Sequence, residues 1–257
     1  MSYLKSDRMK ITDLRRMHTR EAIASRLEDG PDRIYLKDFI YGAIDGAVTT
    51  FAVVSSVAGA KLSIGIILIL GAANLFADGF SMAISNFLGT RADQQMREKI
   101  RDLERDHIRR HPEGEIEEIR QIFQAKGFTG NKLDSIVEHT IADEDRWIDT
   151  MLVEEHGITL DGPDPLKAAI ATFVAFAVVG AVPLVPFVIN WFMPGTLASP
   201  FLASSIMTGI AFMLVGAAKS RFVIRPWYTE ALETLLAGGA AAAIAYAIGY
   251  LLKGLMA

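Results

Sequence analysis

The chain has 257 residues, 51% of them hydrophobic and 22% charged, with a formal net charge of -4 and a mean hydropathy of +0.28. A chain of this size is too apolar for water unless its apolar residues cluster into membrane spans. Zero cysteines exclude disulfides, thiolate zinc sites and iron–sulfur clusters, and nothing in the charge pattern points to nucleic acid.

Residues 8–29, "RMKITDLRRMHTREAIASRLED", place Ile11, Leu14, Met17 and His18 on one side of a helix and basic residues on another. This predicts an amphipathic helix lying on the membrane surface or packed on the soluble insert, ended by "GPD" at 30–32. The first 38 residues are charged throughout and show no cleavable leader, so the first apolar run is expected to act as the insertion signal.

Runs at 39–60, 62–90, 168–193, 198–218 and 230–252 each reach the roughly 20 apolar residues that cross a ~30 Å hydrocarbon core. The expected architecture is an all-α integral membrane protein with five spans. It divides into an N-terminal segment 1–38, spans 1 and 2 over 39–90, a helical insert over 91–167, and spans 3 to 5 over 168–257. All Lys and Arg residues except Lys61 and Lys253 fall before 39, within 91–167 or between 219 and 225. The positive-inside rule therefore predicts that the N-terminus, the insert and the 219–229 loop are cytosolic, with the C-terminus on the opposite side.

Four helices are predicted in the insert. The first, 91–110, continues span 2 until "HPEGE". The second covers 113–126 with Ile116, Ile119, Ile122 and Phe123 on its apolar side, and the third covers 131–142. The fourth, 144–156, buries Trp147, Ile148, Met151 and Leu152. So small a bundle has a thin core, and dimerisation or a bound metal would help hold it together.

Within span 2, Asn74, Asp78, Met82 and Asn86 recur every four residues and share one helical stripe. Asp45 in span 1 and Met82 lie at nearly the same depth, ~10 Å from the cytosolic end. Asp78 is one turn deeper and Asn86 one turn shallower. Intramembrane acids cost about 2.5–3.5 kcal/mol each on insertion scales, and no span carries an internal Lys or Arg to neutralise them. Asp45 and Asp78 are then protonated, hydrogen-bonded to neighbours, or paired with a cation that comes and goes. Gly42, Gly46 and Gly79 beside them keep helix packing open as the alternative reason for their presence. A carboxylate, amide and thioether set suits Fe²⁺, then Mn²⁺ or Co²⁺, better than Ca²⁺ or Mg²⁺.

In the insert, Glu104, His107 and His111 fall at i, i+3 and i+7, Glu115 and Glu118 one turn apart, and Met151 and Glu155 four apart, with Glu154 and His156 adjacent. Helical bundles hold divalent metals with such carboxylate and imidazole spacings. Taken singly, each of these pairs on an exposed helix face is ordinarily just solvated.

These residues together resemble the vacuolar iron transporter family. The matching strings are "YGAIDGAVTTFAVVSSVAGA" and "GFSMAISNFLG" in spans 1 and 2, "HPEGEIEEIRQIFQAKGF" in the insert and "DTMLVEEHGI" before span 3, in order from about residue 37. The resemblance implies a homodimer that moves Fe²⁺, and possible Mn²⁺, Co²⁺ or Zn²⁺, out of the cytosol in exchange for protons, through the vacuolar or plasma membrane. It implies transport-site roles for Asp45 and Met82, and a cytosolic metal site made of Glu104, Glu115, Glu118, Met151 and Glu155. Two departures stand out: Asn86 occupies a common glutamate position while Asp78 lies deeper, and His107 replaces a frequent glutamate. The other expectation is a membrane-anchored metal buffer or sensor whose spans only dimerise, aided by the small-residue run "AGGAAAAIAYAIG" at 237–249. An enzyme is not expected, because Ser81 and Ser85 have no histidine within the spans. No prosthetic group is implied.

Overall fold

A computed structural model of the chain describes residues 11–29, 35–221 and 223–256. Among the described residues the structure is all helix, with no strand. The N-terminal stretch forms two helices, α1 (Ile11–Met17) and α2 (Arg20–Asp29), where the sequence predicts one. The break falls at His18 and Thr19: the His18 ring bonds back to the Leu14 carbonyl, and Thr19 Oγ1 accepts from the Ala22 amide as an N-cap. Ile11 and Leu14 are exposed. Residues 8–10 and the "GPD" break at 30–32 lie outside the described residues.

Five helical segments among the described residues are long and apolar enough to cross a membrane. They are α3 (Leu36–Gly59), α4 (Ile64–Arg110), the segment Pro165–Phe192, α10 (Pro200–Lys219) and α11 (Trp227–Leu252). Helix α4 runs for 47 residues without interruption, joining the predicted second span to the first insert helix. The third apolar run is not the single helix its composition predicts. It is α8 (Pro165–Gly180), a 3₁₀ turn at Val182–Leu184, and α9 (Val185–Phe192). Pro183 and Pro186 lack the amide hydrogen that a continuous helix needs, and the buried Ser204 hydroxyl of α10 donates to the Pro183 carbonyl at 2.6 Å. That bond satisfies a carbonyl otherwise stranded in an apolar setting.

By contacts the chain divides into two compact units, one of residues 1–86 and 166–257, the other of residues 87–165. In the first, α3 packs on α10 and α11 around Ala47, Phe51, Val54, Phe212 and Ala242. Small residues set how closely these helices approach. A Cβ on Gly249 would stand 2.0 Å from the Ser56 carbonyl oxygen, and one on Gly59 2.4 Å from that of Tyr246. The small-residue run at 237–249 is thus engaged within one chain: Gly249 meets α3, and Gly238 meets the Phe212 ring, whereas Gly239 faces open space. Where α10 gives way to α11, the Glu230 carboxylate, only 1% exposed, pairs with Lys219 Nζ at 2.8 Å.

The second unit holds the C-terminal part of α4 with α5 (Pro112–Ala125), α6 (Asn131–Ile141) and α7 (Glu144–Glu154). Its core is Ile119, Leu133, Val137, Trp147 and Met151. Pro112 opens α5 where its missing amide costs nothing, and the Asp143 carboxylate caps α7 by accepting from the Arg146 amide at 2.9 Å.

Candidate metal centre

In the spans, Asn74, Asp78, Met82 and Asn86 are all half-buried, and the first three each stand one position before a buried residue of α4, Leu75, Gly79 and Ala83. The stripe therefore runs along the edge of the packed face, as the four-residue spacing predicts. Asn74 Nδ2 donates to Thr49 Oγ1 at 3.5 Å, and Thr49 donates in turn to the Asp45 backbone carbonyl at 2.9 Å. Asp45 lies within Coulombic reach of Asp78. Among the described residues neither carboxylate makes a hydrogen bond or ion pair. Gly42 and Gly46, which flank Asp45, face α8, where a Cβ would come within 2.3 Å of the Thr172 carbonyl oxygen and 2.5 Å of that of Phe176. The glycines serve helix packing while the aspartate between them is left without a partner.

Asn86 is engaged differently. Its amide donates to Asp38 Oδ1 at 2.9 Å and to Thr172 Oγ1 at 2.7 Å. Thr172 accepts from Asn86 and donates to the Ala168 carbonyl, so both capacities of its buried hydroxyl are filled. Asn86 thereby ties α3, α4 and α8 together, and Asp38, which the spacing argument passed over, is its acidic partner.

The second unit concentrates acids and imidazoles. Glu104 of α4 is 2% exposed and Glu115 of α5 is 6% exposed. His107 Nδ1 lies 3.5 Å from Glu115 Oε1, and His156 Nε2 lies 2.8 Å from Glu104 Oε1 and 3.7 Å from Glu155 Oε2. Two triads, Glu104–His107–Glu115 and Glu104–Glu155–His156, each have ligand atoms within 4.8 Å of one another, and they share Glu104. Glu104 Oε2 and Glu115 Oε2 are buried without a hydrogen-bond partner. An ionised carboxylate oxygen out of water with no donor is costly, so these two oxygens are suited to holding a proton or a metal ion. Burial, followed by the charges of Glu118, Glu104 and Glu155, pushes the Glu115 carboxyl up to about 7 against the opposing pull of His107. Burial and Glu118 raise Glu155 as well, with His156 opposing. Glu118 is itself exposed, and its field reaches both acids.

Three fixed cations of this unit are turned to other acids. Arg101 bonds Asp149, Arg105 lies 2.9 Å from Asp102 and 3.2 Å from Glu144, and Lys126 pairs with Glu154. That last pairing separates Glu154 from its neighbour Glu155, which faces the cluster. Met151 is fully buried in the core, four residues before Glu155. His111 does not continue the α4 face as its i+7 spacing predicts. It is the break residue ahead of α5, with φ -143°, and it is exposed. His156, which the sequence places at the end of a helix over 144–156, lies beyond the end of α7 at Glu154 and joins the cluster. Its one signal was adjacency to Glu155.

A sequence model of the VIT family matches residues 36–250. The chain belongs to that family. It is 31% identical over 226 residues to the vacuolar iron transporter of Toxoplasma gondii, covering 85% of this chain and 74% of the relative. Identity is 32% over 216 residues to vacuolar iron transporter 1 of Eucalyptus grandis, covering 82% and 84%. It is 31% over 228 residues to the vacuolar iron transporter of Plasmodium falciparum, covering 86% and 84%. Membership in the VIT family and the five apolar helical segments make the chain a multi-pass membrane protein.

Proposed function

We propose that this VIT-family chain is a transporter that moves Fe²⁺, with Mn²⁺, Co²⁺ and Zn²⁺ as further cargo, out of the cytosol into a vacuole or out of the cell, in exchange for protons. The reading rests on one observation above the others: Asp45 and Asp78 stand in membrane-spanning helices, within reach of each other's charge, with no basic, hydrogen-bonding or ion-pair partner among the described residues. Acids held in that setting without a counter-ion are suited to accepting a cation in transit. The names of the relatives supply iron as the first cargo.

In this mechanism the insert is cytosolic and captures the ion on Glu104, His107, Glu115, Glu118 and Glu155, with the Met151 thioether beneath them. The ion then passes to Asp45 and Met82, with Asp78 and Asn86 along the same track. Protons arriving from the far side convert Asp45 or Asp78 to the neutral acid, which no longer holds a divalent cation, and the ion leaves. The working unit is a homodimer in the lipid bilayer, with its N-terminus in the cytosol and its C-terminus opposite.

Reconstitution into sealed vesicles with a pH-sensitive dye and a metal-sensitive dye tests this. Fe²⁺ influx accompanied by proton efflux is expected from the unaltered chain and is lost in Asp45→Ala. Undiminished flux in Asp45→Ala, or Fe²⁺ movement with no proton counterflow, removes the exchange mechanism. The membrane-anchored buffer or sensor makes the opposite forecast: metal binding that disappears with residues 98–160, and no flux with or without them.

A further inference from the structure

His156 has no role in the reading above, yet its ring nitrogen converges on the same carboxylates. Nε2 faces Glu104 Oε1 at 2.8 Å and Glu155 Oε2 at 3.7 Å, so one atom of the ring addresses two acids from two different helical elements. We propose that His156 is a metal ligand of the insert, and that His156 and His107 bracket the shared Glu104 with two imidazoles, biasing the site toward Zn²⁺, Co²⁺ and Fe²⁺ over Mn²⁺. This rests on the metal-capturing reading of the insert.

The backbone holds His156 ready for that task. Helix α7 ends at Glu154, the His156 amide still donates to the Met151 carbonyl at 3.2 Å, and the Ile158 amide donates to the Leu152 carbonyl at 2.8 Å. Between them the chain reverses at Gly157, whose φ of 65° is a conformation that side-chain-bearing residues seldom adopt. The ring is thus fixed at the end of the helix, 26% exposed on its side chain, against a carboxylate that is 2% exposed.

Neutralising Glu104 by hydrogen bonding alone would leave the arrangement half finished. Glu104 Oε2 keeps no donor, and Glu155 still faces the same nitrogen. Among the described residues no Lys or Arg pairs with Glu104 or Glu155, and Arg101, Arg105 and Lys126 pair with other acids. A divalent ion at this point collects Glu104, Glu155 and His156 at once, and Glu104 also belongs to the triad with His107 and Glu115. Carboxylate-only sites suit Mn²⁺, whereas each imidazole added favours Zn²⁺, Co²⁺ and Fe²⁺.

The test uses the full chain in detergent, with Zn²⁺ and Mn²⁺ binding measured by calorimetry in the unaltered protein, His156→Gln and Glu104→Gln. Glutamine can still donate to Glu104 but is a poor ligand. His156→Gln is expected to weaken Zn²⁺ about tenfold or more while changing Mn²⁺ little. Equal losses for both metals would make His156 a positioning residue only, and no loss for either would leave it a bystander. Both results overturn the inference. Cu²⁺ electron paramagnetic resonance on the unaltered chain reads the same point without a His156 variant. Two coordinated imidazole nitrogens are expected, falling to one in His107→Ala, and a single nitrogen that vanishes in His107→Ala overturns the inference. Glu104→Gln separates the two levels of argument: if it leaves the binding of every metal intact, the capturing role of the insert fails, not the assignment of His156 alone.

Discussion

The amide of Asn86 stands 2.9 Å from Asp38 Oδ1, and the same nitrogen reaches Thr172 Oγ1 at 2.7 Å, so one side chain joins α3, α4 and α8. A polar residue expected on an ion track is also a structural tie. Replacing it with leucine leaves an acid and a buried hydroxyl short of a donor, at a cost of about 1–3 kcal/mol. Asn86→Leu is expected to lower the melting temperature in detergent. Asn86→Asp should lower it as well, because a second carboxylate then faces Asp38 in place of a donor. Unchanged melting in Asn86→Asp would show that Asp38 is not its working partner.

The raised pKa of Glu115 has a definite sign. An acid at about 7 in the folded state and near 4.5 when unfolded binds more protons folded than unfolded between those values. Metal-free protein therefore loses stability as pH rises through that window. A metal ion must displace the same proton, so apparent affinity rises with pH until about 7 and falls below it by up to roughly tenfold per pH unit for each proton released. Melting curves at pH 5, 6 and 7.5, with and without Zn²⁺, should diverge most at the highest pH. Glu115→Gln should flatten the metal-free trend.

Two glycines of α11 give contrasting outcomes for the same substitution. Gly249→Ala places a methyl 2.0 Å from the Ser56 carbonyl oxygen and must push α3 and α11 apart, costing about 1–3 kcal/mol. Gly239→Ala meets nothing within 4 Å and gains about 0.5–1 kcal/mol from helix propensity. Thermal melting of the two variants should move in opposite directions.

Met151 is a ligand in the proposed capture site and a core residue in the fold, and the two roles separate by substitution. Met151→Leu conserves volume and should cost less than about 1.5 kcal/mol, whereas Met151→Ala opens a cavity worth about 2–5 kcal/mol. A ligating sulfur predicts that Met151→Leu melts near the unaltered protein yet binds Co²⁺ more weakly. Unchanged Co²⁺ binding in Met151→Leu would confine this side chain to packing.

What could be read in advance was whatever depends on short-range periodicity. Apolar runs of membrane length marked the five segments, and the recurrence of Ile119, Trp147, Ile148, Met151 and Leu152 marked the buried faces of the insert helices. A helix repeats every 3.6 residues regardless of what it packs against, so such patterns survive in a linear string. The break at Val182–Leu184 was announced by Pro183 and Pro186 but hidden by the apolar composition around them.

Only the tertiary structure decided which polar groups meet. Asn86 finds Asp38 across 48 positions, and His156 finds Glu104 across 52. It also sorted Glu155, which faces the cluster, from Glu154, which turns to Lys126. Such pairings follow from how one helix end reverses and which face its neighbour presents, and both are fixed by packing that no local spacing encodes. Composition and period specify the elements; the burial of a charged oxygen beside another element's side chain exists only once those elements are assembled.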